Sequence, residues 1–166
     1  MPLGLQGLPV GVAVAVAVGV EVLVAVAVAG VPAFVAPFWH RMEVAYSAAD
    51  IAVARSGAAS LTELSWFALP SLLIPYPFAA EDHQTLNAKI FERAGAAVLL
   101  NEREITPDLL SRKLRLFLDD PAHLSEMSAR SAALAPRDAA ERVADVVLAN
   151  RNNSSLRIPD KYSQKF

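Results

Sequence analysis

Short, unbroken apolar runs alternate with amphipathic stretches over most of this chain, and that alternation leaves few folds open. Ile51–Ala54 (IAVA), Ser71–Ile74 (SLLI) and Ala97–Leu100 (AVLL) are too short for helices and too evenly apolar for half-exposed strands. Strands of this kind are buried on both faces, which implies a parallel sheet covered by helices on each side. Val35–Phe38 reads as a fourth apolar run, at a strand end, and Arg41–Ala48 as a short helix after it.

The helical stretches carry their own punctuation. Ser60-Leu61-Thr62-Glu63 has the capping-box form and predicts a helix from Ser60 to about Phe67. Asp82 is a candidate cap for a helix to Arg93, with Leu86, Ile90 and Phe91 inward and Gly95 as its stop. Thr106-Pro107 and Asp120-Pro121 each place proline at a first helical position, where its missing N–H costs nothing. Leu110, Leu114, Phe117 and Leu118 then face inward on one helix, and Leu124, Met127 and Leu134 on the next. Asp138 opens a last helix with Val143, Val146 and Val147 inward.

The first thirty residues follow a different rule. Every even position from Val12 to Val28 is valine, and Glu21 is the only charged residue before Arg41. Three readings remain open for residues 1–30: a low-complexity leader foreign to the native protein, strand material, or a membrane span. Strict alternation of a β-branched residue is the strand period. A span has length in its favour, but Glu21 would lie near its middle and no Lys or Arg orients it. No function is placed on this segment. Residues 31–150 read as the folded domain, and residues 151–166, polar with four positive charges against Asp160, as a solvated tail.

Composition narrows the chemistry. Fifteen Lys and Arg against 17 Asp and Glu give a net charge of −2, a balance that offers no electrostatic case for nucleic acid, where a basic face is expected. No cysteine is present, so disulfides, thiolate nucleophiles and cysteine-zinc sites are excluded. Glu81, Asp82 and His83 are adjacent, and neighbouring side chains on a helix diverge, so they do not make a metal set.

Parallel α/β sheets bind ligands beyond the carboxyl ends of their strands. That rule points to the loops 38–41, 55–60 and 75–84. In the second of these, Gly57 allows a close backbone approach or a positive φ, and the helix that follows offers unpaired N–H groups suited to a phosphate. Glu63 is open to two roles, accepting both hydroxyls of a ribose diol or completing the capping box with Ser60. In the third loop and the helix it enters, Asp82, His83, Gln84 and Asn87 carry the donors and acceptors that read sugar hydroxyls. The simpler alternative is a helix start capped by Asp82. His83 as a general base lacks any carboxylate placed to orient it.

Two motifs supply a resemblance. The run RSGAASLTE (residues 55–63), followed by PYP and then DHQTLNA (residues 82–88), resembles the carboxy-terminal domain of the MurG family of bacterial cell-wall glycosyltransferases, from about Val35 to Leu148. The resemblance implies the Rossmann-like carboxy-terminal half of a GT-B fold, incomplete at its amino-terminal edge. It implies transfer of N-acetylglucosamine from UDP-N-acetylglucosamine to lipid I, giving lipid II with inversion, and no cofactor or obligatory metal. Trp39 is expected beside the uracil. Gly57, Ala58, Ala59, Ser60, Leu61 and Thr62 are expected along the diphosphate and ribose, with Glu63 on the ribose hydroxyls. His83 and Gln84 are expected on the N-acetylglucosamine hydroxyls, while Asp82 and Asn87 shape their loop.

Family members also have an amino-terminal domain that meets lipid I and carries the base, and a G-G-S-Q-G-A loop at the start of the donor domain. Neither motif occurs here, so no catalytic residue is assigned and this chain alone is expected to be inactive. By resemblance the enzyme works in the cytoplasm, peripheral to the inner face of the plasma membrane. A UDP-sugar glycolipid synthase of GT-B form and a non-catalytic nucleotide-binding fragment remain alternatives. The sequence defines no oligomeric state.

Overall fold

The computed structural model describes residues 12–16 and 40–150. The described residues up to Ala135 form one compact unit and those from Pro136 another. Within the first, strands β1 (Val12–Val16), β2 (Ile51–Ala54), β3 (Ser71–Leu73) and β4 (Ala97–Leu99) form a sheet in that spatial order, every pair parallel. Helices α1 (Met42–Ala48), α2 (Ala58–Trp66), α3 (His83–Arg93), α4 (Pro107–Leu118) and α5 (Pro121–Ala133) surround it.

Five residues of the valine repeat thus enter the sheet. β1 pairs with β2 along its length, with a register shift between Val12 and Ala15. Among the described residues no helix is long and apolar enough to cross a membrane. The rest of the repeat, the expected strand end at 35–38 and the tail 151–166 lie outside the described residues.

Side chains alternate across a strand, so β2, β3 and β4 each feed two cores. Ile51, Val53, Leu72 and Ile74 pack on one face with Leu110, Leu114 and Phe117 of α4 and Leu124 and Met127 of α5. Ala52, Ala54, Leu73 and Ala97 pack on the other with Tyr46, Leu61, Leu64, Ala88 and Phe91. The second face is mostly alanine, which leaves room for α1, α2 and α3 to lie close on the sheet. This packing corrects the inward face expected for α3. Phe91 is buried as expected, together with Ala88 three residues before it on the same helix face, whereas Leu86 and Ile90 lie on another face and are more than half exposed.

The two proline-led helices begin where the sequence places them. Thr106 accepts a hydrogen bond from the Leu109 N–H at 3.2 Å, and Asp120 one from the His123 N–H at 3.0 Å. Gly95 ends α3 with φ +71°, where a Cβ would meet the Arg130 guanidinium at 2.6 Å. The left-handed backbone is what calls for glycine there, since the end of the Arg130 side chain could swing aside. The second unit contains α6 (Ala139–Asn150). None of the residues of α6 is buried, and its Val143 and Val147 are exposed rather than inward.

Candidate functional site

β2 and β3 end side by side, Ala54 pairing with Leu73, and the loops that follow them carry the candidate residues. The first loop is short. Ser56 is fully buried, and Gly57 is the N-cap of α2 with φ −66° and ψ 148° and no side-chain cap. The first helical hydrogen bond runs from the Leu61 N–H to the Gly57 carbonyl at 3.0 Å. The N–H groups of Ala58, Ala59 and Ser60 therefore have no acceptor within the helix, and the positive end of its dipole lies there. A Cβ on Gly57 would meet nothing within 4 Å, so the glycine borders open space. Its φ is negative, so backbone strain is not the reason for a glycine here.

This start overturns the capping-box reading. α2 begins two residues before Ser60, so Ser60 and Glu63 are both inside the helix and neither caps it. Thr62 turns its hydroxyl back to the Ala58 carbonyl at 2.9 Å, and Leu61 is buried in the core. Glu63 is exposed, and its Oε2 accepts a hydrogen bond from the Tyr46 hydroxyl at 2.9 Å. Burial, and then the carboxylate beside it, push the Tyr46 phenol well above the usual tyrosine range, so it acts as a neutral donor.

The second loop reaches the same place by a strained turn. Glu81 and Asp82 both take left-handed backbone, with φ 51° and 54°. Asp82 is the N-cap of α3 by position, but its side chain caps nothing, contrary to its role as an ordinary cap. Such residues cost about 1–3 kcal/mol each and persist where the surroundings hold them. Here the holding contacts are visible. The Ser56 hydroxyl donates to the Gln84 carbonyl at 2.8 Å, and Asn87 Nδ2 donates to the Ser56 carbonyl at 3.2 Å. The Gln84 side-chain oxygen accepts the Tyr76 N–H at 3.0 Å, which turns its Nε2 donors away from that bond. His83, the first residue of α3, is exposed beside it.

Arg55 stands where a phosphate-binding cation would be sought, but its guanidinium is committed elsewhere. Nη1 donates to the Ile74 and Pro75 carbonyls, each at 3.2 Å, Nη2 pairs with Glu102, and the group lies over the Tyr76 ring. It clips the end of β3 to the 3₁₀ turn Glu102–Glu104. Sequence reasoning missed Tyr46, Ser56 and Arg55 as parts of the site. Only the last two lie within a motif that would have drawn attention. Among the described residues no group of His, Asp and Glu is placed to hold a metal ion. Trp39 lies outside the described residues.

Residues 23–143 match the glycosyltransferase family 28 C-terminal domain. The chain belongs to that family. The family 28 match begins inside the valine repeat, and it takes in both loops and every element from α1 to α5. Among curated relatives, the UDP-N-acetylglucosamine--N-acetylmuramyl-(pentapeptide) pyrophosphoryl-undecaprenol N-acetylglucosamine transferase of Gloeothece citriformis is 45% identical over 123 residues, 74% of this chain and 33% of its own length. The enzyme of the same name from Gloeobacter violaceus is 48% identical over 117 residues, 70% of this chain and 33% of its own.

Among solved structures, MurG of Acinetobacter baumannii superposes with a TM-score of 0.66 at 31% identity, covering 72% of this chain and 36% of that one. The kitacinnamycin glycotransferase, at 22% identity and a TM-score of 0.55, shares the fold. This family 28 chain has the parallel α/β architecture of the carboxy-terminal half of GT-B enzymes. It spans about a third of the length of the curated relatives it matches.

The join between the two loops has a measurable consequence. Ser56→Ala removes the donor to the Gln84 carbonyl, and an unmade buried hydrogen bond costs about 1–3 kcal/mol. Thermal melts are expected to show a transition lowered by several degrees for this domain size.

Proposed function

We propose that this chain is the donor-binding part of an enzyme that transfers N-acetylglucosamine from UDP-N-acetylglucosamine to lipid I, forming lipid II. Residues 31–150 serve as the UDP-sugar-binding domain. The observation that carries the reading is the convergence of the uncapped α2 amino terminus, the Glu63 carboxylate and the His83–Gln84 pair beyond the ends of β2 and β3. The diphosphate sits on the free N–H groups of Ala58, Ala59 and Ser60, next to the open space at Gly57. Glu63 accepts the ribose hydroxyls, and His83 and Gln84 meet the sugar. Leu61 holds the helix to the core, and Asp82 and Asn87 shape the second loop. Trp39 serves the uracil.

Transfer proceeds by in-line attack of the acceptor hydroxyl on the anomeric carbon, with inversion and departure of UDP. The helix dipole and amide donors stabilise the charge that grows on the leaving diphosphate, and they need no reorganisation to do so. The residues named bind the donor. The base and the lipid I site belong to other parts of the enzyme, so the chain alone turns over no substrate. The enzyme works at the cytoplasmic face of the bacterial plasma membrane as a peripheral protein, and nucleic acid is no partner.

Calorimetric titration tests the reading. UDP-N-acetylglucosamine is expected to bind more tightly than UDP-glucose, on the order of tenfold for an unmatched polar contact. Equal affinity for both nucleotide sugars overturns the assignment of the sugar, and tighter binding of ADP than of UDP overturns the nucleotide.

A further inference from the structure

Tyr46 belongs to none of the loops at the strand ends, yet its hydroxyl donates to Glu63 Oε2 at 2.9 Å. It comes from α1, 17 positions earlier in the chain, and its residue is only 3% exposed. Its ring packs against Phe67 at 5.4 Å between centroids, so the phenol is held at its ring as well as at its hydroxyl. An exposed glutamate on a helix ordinarily samples several rotamers, and ordering it on binding costs affinity. A donor fixed in the core removes much of that cost beforehand.

We infer that Tyr46 is a positioning residue for the ribose-binding carboxylate, holding Glu63 so that both ribose hydroxyls are accepted together. The inference rests on the reading of Glu63 as the ribose ligand. An ionised carboxylate offers about four acceptor positions on its two oxygens. Tyr46 takes one of them on Oε2. Oε1 and the remaining position on Oε2 are left for a pair of vicinal hydroxyls, in a plane set by the buried phenol. Tyr46 touches no part of the nucleotide in this arrangement, and its whole effect passes through Glu63.

That dependence makes the inference separable from a general structural role. UDP and 2′,3′-dideoxy-UDP are titrated into the wild-type chain, Tyr46→Phe, Glu63→Gln and the double variant. The dideoxy nucleotide keeps the base and diphosphate but has nothing to offer the carboxylate. Tyr46→Phe is expected to weaken UDP about three- to tenfold, the scale of one hydrogen bond, and to leave the dideoxy nucleotide unchanged. In the Glu63→Gln background the same substitution is expected to have a smaller effect, because the charge that the phenol orients is gone. Equal losses for both nucleotides in Tyr46→Phe overturn the inference, since a loosened fold would weaken them alike. Unchanged UDP affinity in Tyr46→Phe beside a clear loss in Glu63→Gln overturns it too, and leaves the ribose reading of Glu63 standing. No loss in Glu63→Gln removes both.

Discussion

Leu72→Ala is expected to destabilise the domain by about 2–5 kcal/mol while leaving the donor site intact in the molecules that remain folded. Leu72 is completely buried in β3, paired to Val53 on one side and Val98 on the other. Its side chain enters the core shared by Ile51, Val53 and Ile74 with α4 and α5, on the sheet face opposite α2 and α3. Truncation there leaves a cavity between a sheet and two helices, and three parallel strands locked by their ladders have little freedom to close it. A domain holds only about 5–15 kcal/mol in total, so the loss is a large share. The thermal transition should fall by roughly ten degrees or more, and UDP should still raise the midpoint of the variant. Leu73→Ala provides the contrast. Its side chain packs with Tyr46, Leu61 and Leu64, so stability and UDP affinity should fall together. A Leu72 variant that melts within two or three degrees of the parent would show that the core refills the space.

Glu63→Gln should do the reverse, weakening UDP on the order of tenfold or more with little change in the melting curve. Glutamine keeps the length of the side chain and can still accept the Tyr46 hydroxyl. What it loses is the charge, and hydrogen bonds to charged groups contribute roughly 1.5–3 kcal/mol against about 1 for neutral ones. Each 1.4 kcal/mol is about tenfold in affinity. Stability should barely move, because Glu63 is exposed and α2 is not capped by it. Glu63→Ala leaves the Tyr46 hydroxyl without its acceptor, so that variant should also melt earlier. Titration of UDP beside melting curves of the three proteins makes the comparison. Equal UDP affinity in all three would remove Glu63 from the ribose.

Sequence reasoning succeeded and failed at recognisable places. Thr106 and Asp120 cap their helices where their spacing predicts, and the strands at Ile51, Ser71 and Ala97 begin at the residues expected. Ser60 and Asp82 carry equally good capping signals and make no cap. The difference is that α4 and α5 start in ordinary connections, whereas α2 and α3 start in the loops of the candidate site. Local rules are broken most often at functional or strained positions, where the surroundings compensate. At Asp82 the compensation comes from Ser56, Asn87 and the Tyr76 N–H, which hold the turn against two consecutive left-handed residues.

The sequence by itself determined the architecture and the two loops that matter. Unbroken apolar runs between amphipathic stretches have only one economical burial, a parallel sheet between helices, and such sheets gather their loops beyond the strand ends. The R-S-G and D-H-Q-T motifs then singled out a family. Tertiary structure decided what each side chain in those loops does. Glu63 reads as a cap or a ligand from spacing, and it is the phenol of Tyr46, reached only when α1 folds onto the alanine face of the sheet, that takes up its carboxylate. Arg55 carries no role in the sequence, and only the packing shows its guanidinium taken up by the Ile74 and Pro75 carbonyls and Glu102. Backbone periodicity is a local property, set by neighbours within a turn or a pleat, and a sequence displays it. The partner of a polar side chain is a long-range property, set by which distant segments the packing brings within 3 Å or so, about the reach of one hydrogen bond, and no spacing along the chain encodes it.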